Sequence, residues 1–372
     1  MYIVKNTLTL LRFKINDTLH IPQVNGYNIY KTDLHTHSVY SDGDVTPAFR
    51  VREAFYDGLD AIAITEHLEY RRHEGNMLKF LKGYTDGKVV KAKNYDLINR
   101  QCPKDGIMSD QNYPIEEALK AAKKFGILVI PGTEITREPV KIGHFNALFT
   151  QDNNTIYDPD PLQSIRNARE QGAIIQHNHP GWRRTSCDKT EFEKTVYAEG
   201  LIDGIEVANG GSLYLPIIDR AREDNLYVAA NTDIHPTTAE YYRLKGQHRN
   251  MTLIFAKECT LKGLREALEA KRTLACSGGY ICGDEQLLKD LFLASVKWEV
   301  IRTDKKGVRT VRLTNMCSFK FQYKTSKNAL PVDLLPFQSI QLNVAKDKDL
   351  KLTLTNMLCG NMVHPTATLA VK

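Results

Sequence analysis

The chain changes its hydrophobic rhythm once. Up to about residue 290, short apolar runs alternate with amphipathic stretches, whereas beyond it apolar and polar residues alternate with a period of two. In the first regime strands are predicted over Tyr30 to His35, Asp60 to Thr65, Ile127 to Pro131, His144 to Phe149, Ala173 to Gln176, Gly204 to Ala208 and Leu226 to Asn231. Helices are predicted over Pro47 to Asp57, Ile115 to Phe125, Pro161 to Gln171, Leu215 to Asp224 and Leu261 to Ala270. Pro47 suits a first helical turn, Phe49, Val51, Ala54 and Phe55 recur at helical spacing, and Gly58, Gly126 and Gly172 are terminators. Strands alternating with helices imply parallel pairing through right-handed crossovers.

Two stretches depart from that rhythm. Residues 69 to 112 are polar, basic and turn-rich, and a long irregular insertion of this kind in a compact domain reads as a lid. From Val296 onward, short alternating segments with turn signals between them predict a small β-sandwich. The expected organisation is a catalytic domain over 1–288 and an accessory β domain over 289–372, so that removing everything from 290 onward would leave the first domain's site intact.

Composition is that of an ordinary globular protein, with 42% hydrophobic and 25% charged residues in 372. The net charge of +6 is mild and the basic residues are scattered, which favours anionic substrates weakly and does not indicate nucleic acid. No run is long enough for a membrane span. The first residues, MYIVKNTLTLLRFKIND, hold a short apolar patch broken by Lys5, Arg12 and Lys14 and lack a small-residue cleavage site, so the expectation from these letters is no signal peptide and a cytoplasmic protein. Seven cysteines without Cys-x-x-Cys spacing read as free thiols, with only Cys276 and Cys282 near enough in sequence to make a disulfide worth testing.

The chemistry concentrates at the ends of the predicted strands. In Asp33-Leu-His-Thr-His37 an extended backbone puts His35 and His37 on one face, a bidentate clamp for a divalent cation, and Ser41-Asp42-Gly43 follows closely. Glu66, His67, Glu134, His144, His177 or His179, Asp233 and His235 sit at or just beyond later strand ends. Histidine is scarce, 11 in all, so this clustering is the strong signal. A (β/α) barrel gathers such ends on one rim, which an open doubly wound sheet does less easily. Imidazoles and carboxylates without cysteine suit zinc, manganese or iron with open positions, and their number suffices for two or three ions. Three divalent cations outweigh Asp42, Glu134 and Asp233 by roughly three charges, which makes the site a receptor for phosphate and hydroxide.

Taken in order, D-L-H-T-H, S-D-G, T-E-H, P-G-x-E, N-H-P-G and T-D-x-H, spread over residues 28 to 285, resemble the polymerase and histidinol phosphatase (PHP) superfamily of metal-dependent phosphoesterases. The resemblance implies an α/β fold, a distorted (β/α)7 barrel, here followed by a small all-β, Ig-like sandwich. It implies one metal on His35, His37, Glu134 and Asp233, a second sharing Glu134 and adding His144 and His179, and a third on Asp42, His67 and His235. His179, which precedes Pro180, matches the family's His-Pro element better than His177, which is then a core or supporting histidine. Position 42 is His or Asp among relatives. Glu66 stands where Asp is commoner and would orient a ligand, or else form a surface salt bridge.

The reaction so implied is phosphate-ester hydrolysis by a hydroxide bridging two metals. Arg71, Arg72, Arg183 and Arg184 closely follow ligand motifs, and at least one of Arg71 and Arg183 is expected to reach the phosphate. Arg71, Arg183 and Glu66 are thus the catalytic candidates beside the ligands, and Trp182 either stacks on the substrate or packs. The expected substrate is a small phosphorylated or nucleotide-like molecule, with monoester or diester left open. Two other readings stand: a TatD-like nuclease or amidohydrolase, whose relatives lack the T-E-H and D-x-H elements, and a non-catalytic metal- or glycan-binding protein. Oligomeric state is open. By resemblance, PHP chains with a C-terminal sandwich look like envelope or periplasmic proteins.

Overall fold

Local rules place the helices much as the spacing predicts. Helix α1 (Pro47–Tyr56) starts on Pro47 behind Thr46, whose side chain accepts from the Phe49 amide, and α2 (Tyr113–Phe125) stops at Gly126 in the left-handed conformation at φ 70°. The computed structural model describes residues 18–73, 109–136 and 140–371. Most of the predicted lid, 74–108, lies outside them.

The strands β1 (Asn28–Asp33), β2 (Ala61–Ile64) and β3 (Leu128–Thr136) pair in parallel, as do β5 (Ile174–His177), β6 (Gly204–Asn209) and β8 (Tyr227–Asn231). Between these groups β4 (His144–Leu148) runs antiparallel to both β3 and β5. Uniform parallel pairing is therefore incorrect. The few residues joining β3 to β4 cannot hold the crossover that a parallel pair needs, and β3 itself runs on through Glu134 to Thr136. Three strands not recognised in the sequence extend the sheet: β9 (Met251–Ala256) lies antiparallel to β1, followed by β10 (Thr273–Ser277) and β11 (Tyr280–Gly283). With the short β7 (Ser212–Leu213) and β18 (Met357–Leu358) the sheet has 12 strands.

This sheet curls until β8 approaches both β9 and β10. Thr252 and Thr273 stitch the approach: each hydroxyl accepts from and donates to one β8 residue, Ala230 at 3.0 and 3.1 Å and Val228 at 3.2 and 2.8 Å. At the rim, Thr36 and Ile234 form a parallel bridge. Gly204 is required by close approach, because the Tyr227 ring occupies the place of a Cβ there. Around the curled sheet pack α1, α2, α3 (Pro161–Glu170), α4 (Glu191–Ala198), α5 (Leu215–Glu223), α6 (Thr238–Tyr241) and α7 (Leu261–Glu269).

Helix α8 (Glu285–Ser295) runs directly into the C-terminal region, so the expected division at 288/289 falls inside it. That region forms two antiparallel sheets. One holds β12 (Val296–Thr303), β13 (Arg309–Asn315) and β16 (Ser339–Val344); the other holds β14 (Phe321–Lys324), β15 (Val332–Leu334), β17 (Leu350–Leu354) and β19 (Thr366–Leu369). Its apolar residues, among them Val311, Phe321 and Leu352, join one continuous core with Val51, Ile62 and Leu253 of the first region. Cys276 and Cys282 are free, buried thiols, and no disulfide links them.

Candidate metal centre

The rim of the curled sheet brings together His35, His37, Asp42, His67, Glu134, His144, His179, Asp233 and His235, and leaves Glu66 and His177 outside the cluster. His35 and His37 follow β1, His67 follows β2, Glu134 and His144 lie in β3 and β4, His179 follows β5, and Asp233 and His235 follow β8. Four groups have donor atoms within 4.8 Å of one another: His37, Asp42, His67 and His235; His35, His37 and Glu134; His35, His179 and Asp233; and Glu134, His144 and His179. Each could hold a cation. Two of these residues adopt left-handed backbones that glycine normally favours, His179 at φ 26° and Asp233 at φ 50°, the kind of strain that accumulates at functional sites.

The electrostatics show a centre short of positive charge. Glu134 is fully buried, and its carboxylate lies 2.6 Å from His67, 3.3 Å from His35, 3.4 Å from His144, 3.5 Å from His179 and 3.6 Å from His37. Burial lowers the pKa of His35, yet Asp233, Glu134 and Glu206 push it well above the ordinary imidazole value. The same contest at His67 is won by Asp42 and Glu134. Burial raises the three carboxylates, but the surrounding imidazoles hold Asp42, Glu134 and Asp233 well below the carboxylate range. His37, buried and facing His67 and His235, is driven down to about 3. Cations bound here would compete with protons for His35 and His67. Donor chemistry agrees: the Nε2 atoms of His35 and His37 face each other at 3.0 Å, and His37 Nδ1 and His144 Nε2 are buried with no hydrogen-bond partner among the described residues.

Supporting groups escaped the sequence reading. Glu206, fully buried on β6, takes His35 Nδ1 at 2.9 Å, the His179 amide at 2.8 Å, and the side chains of Asn209 and Asn231. A carboxylate only accepts, so a neutral His35 carries its proton on Nδ1 and turns Nε2 to the centre. Asn178 donates to Glu134 Oε1 at 2.9 Å and Thr136 to Oε2 at 3.0 Å. Inside an apolar strand such as Gly204–Asn209, a lone Glu206 is the one sequence signal that could have found this partner.

The three catalytic candidates beside the ligands all lie off the cleft wall. Glu66 is buried and turned away from the cleft: its carboxylate accepts from the Ser38 amide at 3.1 Å and from the Ser38 and Ser41 hydroxyls, bracing the loop that presents Asp42. Arg71 is also buried, with Nη1 donating to the His67 carbonyl at 2.9 Å, and does not line the cleft. Arg183 lies over the Trp182 ring at 4.3 Å, outside the cleft wall. Trp182 itself wedges against His144 and His179, at 5.3 and 5.4 Å between ring centroids. These arginines follow the ligands in sequence, but the turns after β2 and β5 point them away.

His177 is held apart from the centre. Tyr197 and Glu193 take its two nitrogens at 2.9 and 3.1 Å, and its ring stacks on Phe145. Burial pushes Glu193 up, but His177, Arg184 at 2.6 Å and the Thr190 amide hold it down at about 2. A depressed carboxylate stabilises the fold above its unfolded value near 4.5, and that contribution is lost as pH falls toward 2. Glu193→Gln is therefore expected to lower stability by on the order of 3 kcal/mol at neutral pH, converging on the wild type in strong acid, as denaturant titration across pH will show. His177→Ala should retain its bound ions while melting earlier; loss of ions on elemental analysis would exchange the roles of His177 and His179.

One cleft of about 380 Å³ opens on these residues. Asp42, His67, His144, His179, Asp233 and His235 form its floor, and Tyr70, Trp182, Tyr214 and Tyr241 its walls. A polar rim with several histidine and carboxylate groups around one cleft is the build of a metal-dependent hydrolase. Residues 33–232 match the PHP domain family. The solved structure of a two-domain protein containing a predicted PHP-like metal-dependent phosphoesterase, from Bacteroides vulgatus, is 32% identical with a TM-score of 0.82, covering 96% of this chain and 99% of that one. The chain belongs to the PHP domain family, as a homologue of that metal-dependent phosphoesterase.

More distant folds include an amidohydrolase from Chromobacterium violaceum, 15% identical with a TM-score of 0.40, covering 66% of this chain and 98% of that one. Another is the lesion-specific endonuclease of Pyrococcus furiosus, 16% identical with a TM-score of 0.38, covering 69% and 59%. Neither bears on what this chain does. No curated protein matches it. Among the described residues no helix is long and apolar enough to cross a membrane.

Proposed function

We propose that this chain hydrolyses the phosphate ester of a small phosphorylated or nucleotide-like molecule bound in the rim cleft. The observation that carries this reading is the convergence of Asp42, His67, His144, His179, Asp233 and His235 on the floor of one cleft of about 380 Å³, a volume at the lower end for small-molecule sites. His35, His37, Glu134 and Asp233 would hold one ion, Glu134 with His144 and His179 a second, and Asp42, His67 and His235 a third. Bound divalent ions supply Lewis acidity and a water acidic enough to ionise near neutral pH.

The protein's own part is to fix the donors. Glu206 sets the tautomer of His35, and the Asp233 carbonyl, 2.8 Å from His235 Nδ1, sets that of His235 so that Nε2 faces Asp42 at 3.1 Å. Asn178 and Thr136 pin the Glu134 carboxylate that four neighbouring strands share. Tyr70, Tyr214 and Tyr241 offer aromatic walls for the organic part of the ester. Arg183, an exposed side chain beside Trp182 at the mouth, can meet the substrate only from outside the wall.

Protein stripped by chelation and reloaded with zinc, manganese or iron, offered p-nitrophenyl phosphate, bis(p-nitrophenyl) phosphate and a peptide panel, tests the reading. Hydrolysis of an ester should fall at least about 100-fold on stripping and return with metal. Fully metallated protein that cleaves neither ester would leave the binding reading, and peptide cleavage instead would favour an amidohydrolase.

A further inference from the structure

We propose that Arg50 is a positioning residue that keeps the outermost cation group, Asp42 with His67 and His235, assembled. The inference rests on the metal-centre reading above. Arg50 lies on α1, is 1% exposed, and touches none of those three side chains. Its guanidinium instead grips the backbone that presents them. Nε donates to the His37 carbonyl at 2.7 Å, and Nη2 donates to the Ile234 carbonyl at 3.1 Å and the His235 carbonyl at 2.5 Å. Nη1 pairs with Glu53 at 2.7 Å, and Glu53 Oε1 accepts from the Thr238 amide at 2.8 Å, which fixes the start of α6 behind His235.

The two loops joined in this way come from opposite ends of the barrel sequence, and they also meet at the Thr36–Ile234 bridge and through the Asp233 amide, which donates to the His35 carbonyl at 2.9 Å. The Asp44 amide donates to the His235 carbonyl at 2.9 Å, and the His37 amide to the Ile234 carbonyl at 3.2 Å. The inner donors are locked by burial, with His35, His37 and Glu134 at 0% side-chain exposure. In the outer group His67 is buried, but Asp42 is 13% exposed and His235, the most open of all, 32%. The His37 ring stacks on both His67 and His235, at 4.1 and 4.5 Å, so a shift of either loop is transmitted to this group first. A planar fork with five donors reaches three carbonyls and a carboxylate at once, which a lysine ammonium on a flexible stem does not.

The experiment uses the full chain. Wild type, Arg50→Lys and Glu53→Gln are loaded with zinc, dialysed against graded chelator, and assayed for ions per chain and for melting temperature. Arg50→Lys should hold one ion per chain about 10–100-fold more weakly, the scale expected for supporting partners of metal ligands, with the other ions retained and the fold intact. Glu53→Gln should weaken the same ion by less. Wild-type affinity for every ion in Arg50→Lys overturns the proposal, as does loss of all ions together. Should Arg50→Lys fail to fold, Glu53→Gln decides: selective loss supports the proposal and an unchanged ion count overturns it. A wild type that binds no ion overturns the metal-centre reading as well.

Discussion

Glu134→Gln should strip the metal centre of its ions while leaving the secondary structure in place. Among the described residues, no other side chain stands within 3.6 Å of five imidazoles, His35, His37, His67, His144 and His179. Glutamine matches its shape: its carbonyl can still accept from Asn178 and its amide can donate to the Thr136 hydroxyl, so the packing of β3 against β4 survives. What it removes is the buried negative charge. Supporting partners of ligands are worth about 10–100-fold in affinity, so a shared direct donor should cost at least about 100-fold. Removing one preorganised electrostatic group costs about 10²–10³-fold in turnover, and here the loss should exceed that range. The metal-free variant should also be less stable above the ordinary carboxylate range, because Glu134 is held well below it in the fold and its contribution disappears only as pH falls. Elemental analysis beside circular dichroism checks this. Wild-type ion content in the variant would remove Glu134 from the centre.

The second large effect reverses an expectation from the sequence. Cutting the chain at 288 should yield insoluble or unfolded protein without bound metal, rather than an intact catalytic domain. The cut divides α8, whose Leu288, Leu291 and Phe292 are fully buried, and Phe292 meets Phe321 of the C-terminal region edge to face at 5.1 Å. It also removes β18, which pairs in parallel with β11, and Asn356, which donates to the Gly279 carbonyl at 3.0 Å and accepts the Ile281 amide on its own carbonyl at the same distance. The exposed surface would be the shared core, not a polar interface. Gel filtration and metal content of a 1–288 fragment against full-length protein decide it. A soluble, metal-loaded fragment would instead support the division at 288/289.

The ligands were legible because their chemistry is carried by residue type. Imidazoles are rare in this chain, and an imidazole at a strand end is either a ligand or costly to bury, so His35, His37, His67, His144, His179 and His235 stand out from residue type alone. The strands of the parallel core were legible for the same reason, as apolar runs bounded by turn residues. Strand direction was not. The β3 to β4 reversal depends on the length of a connection, and β9 to β11 resemble the preceding runs until pairing adds them antiparallel, one after another, beyond β1.

The sequence alone therefore determined which groups could bind cations and in what order they occur, because donor chemistry is a property of each residue. Only the tertiary structure decided which way the intervening side chains point. Arg71, Arg183 and Glu66 neighbour ligands in the chain yet face backbone, tryptophan and serines, while Arg50 and Glu206, unremarked in the sequence, hold the centre from behind. Orientation is set by contacts between segments up to two hundred residues apart, such as Glu206 on His35 and Arg50 on His235, and no local pattern encodes them.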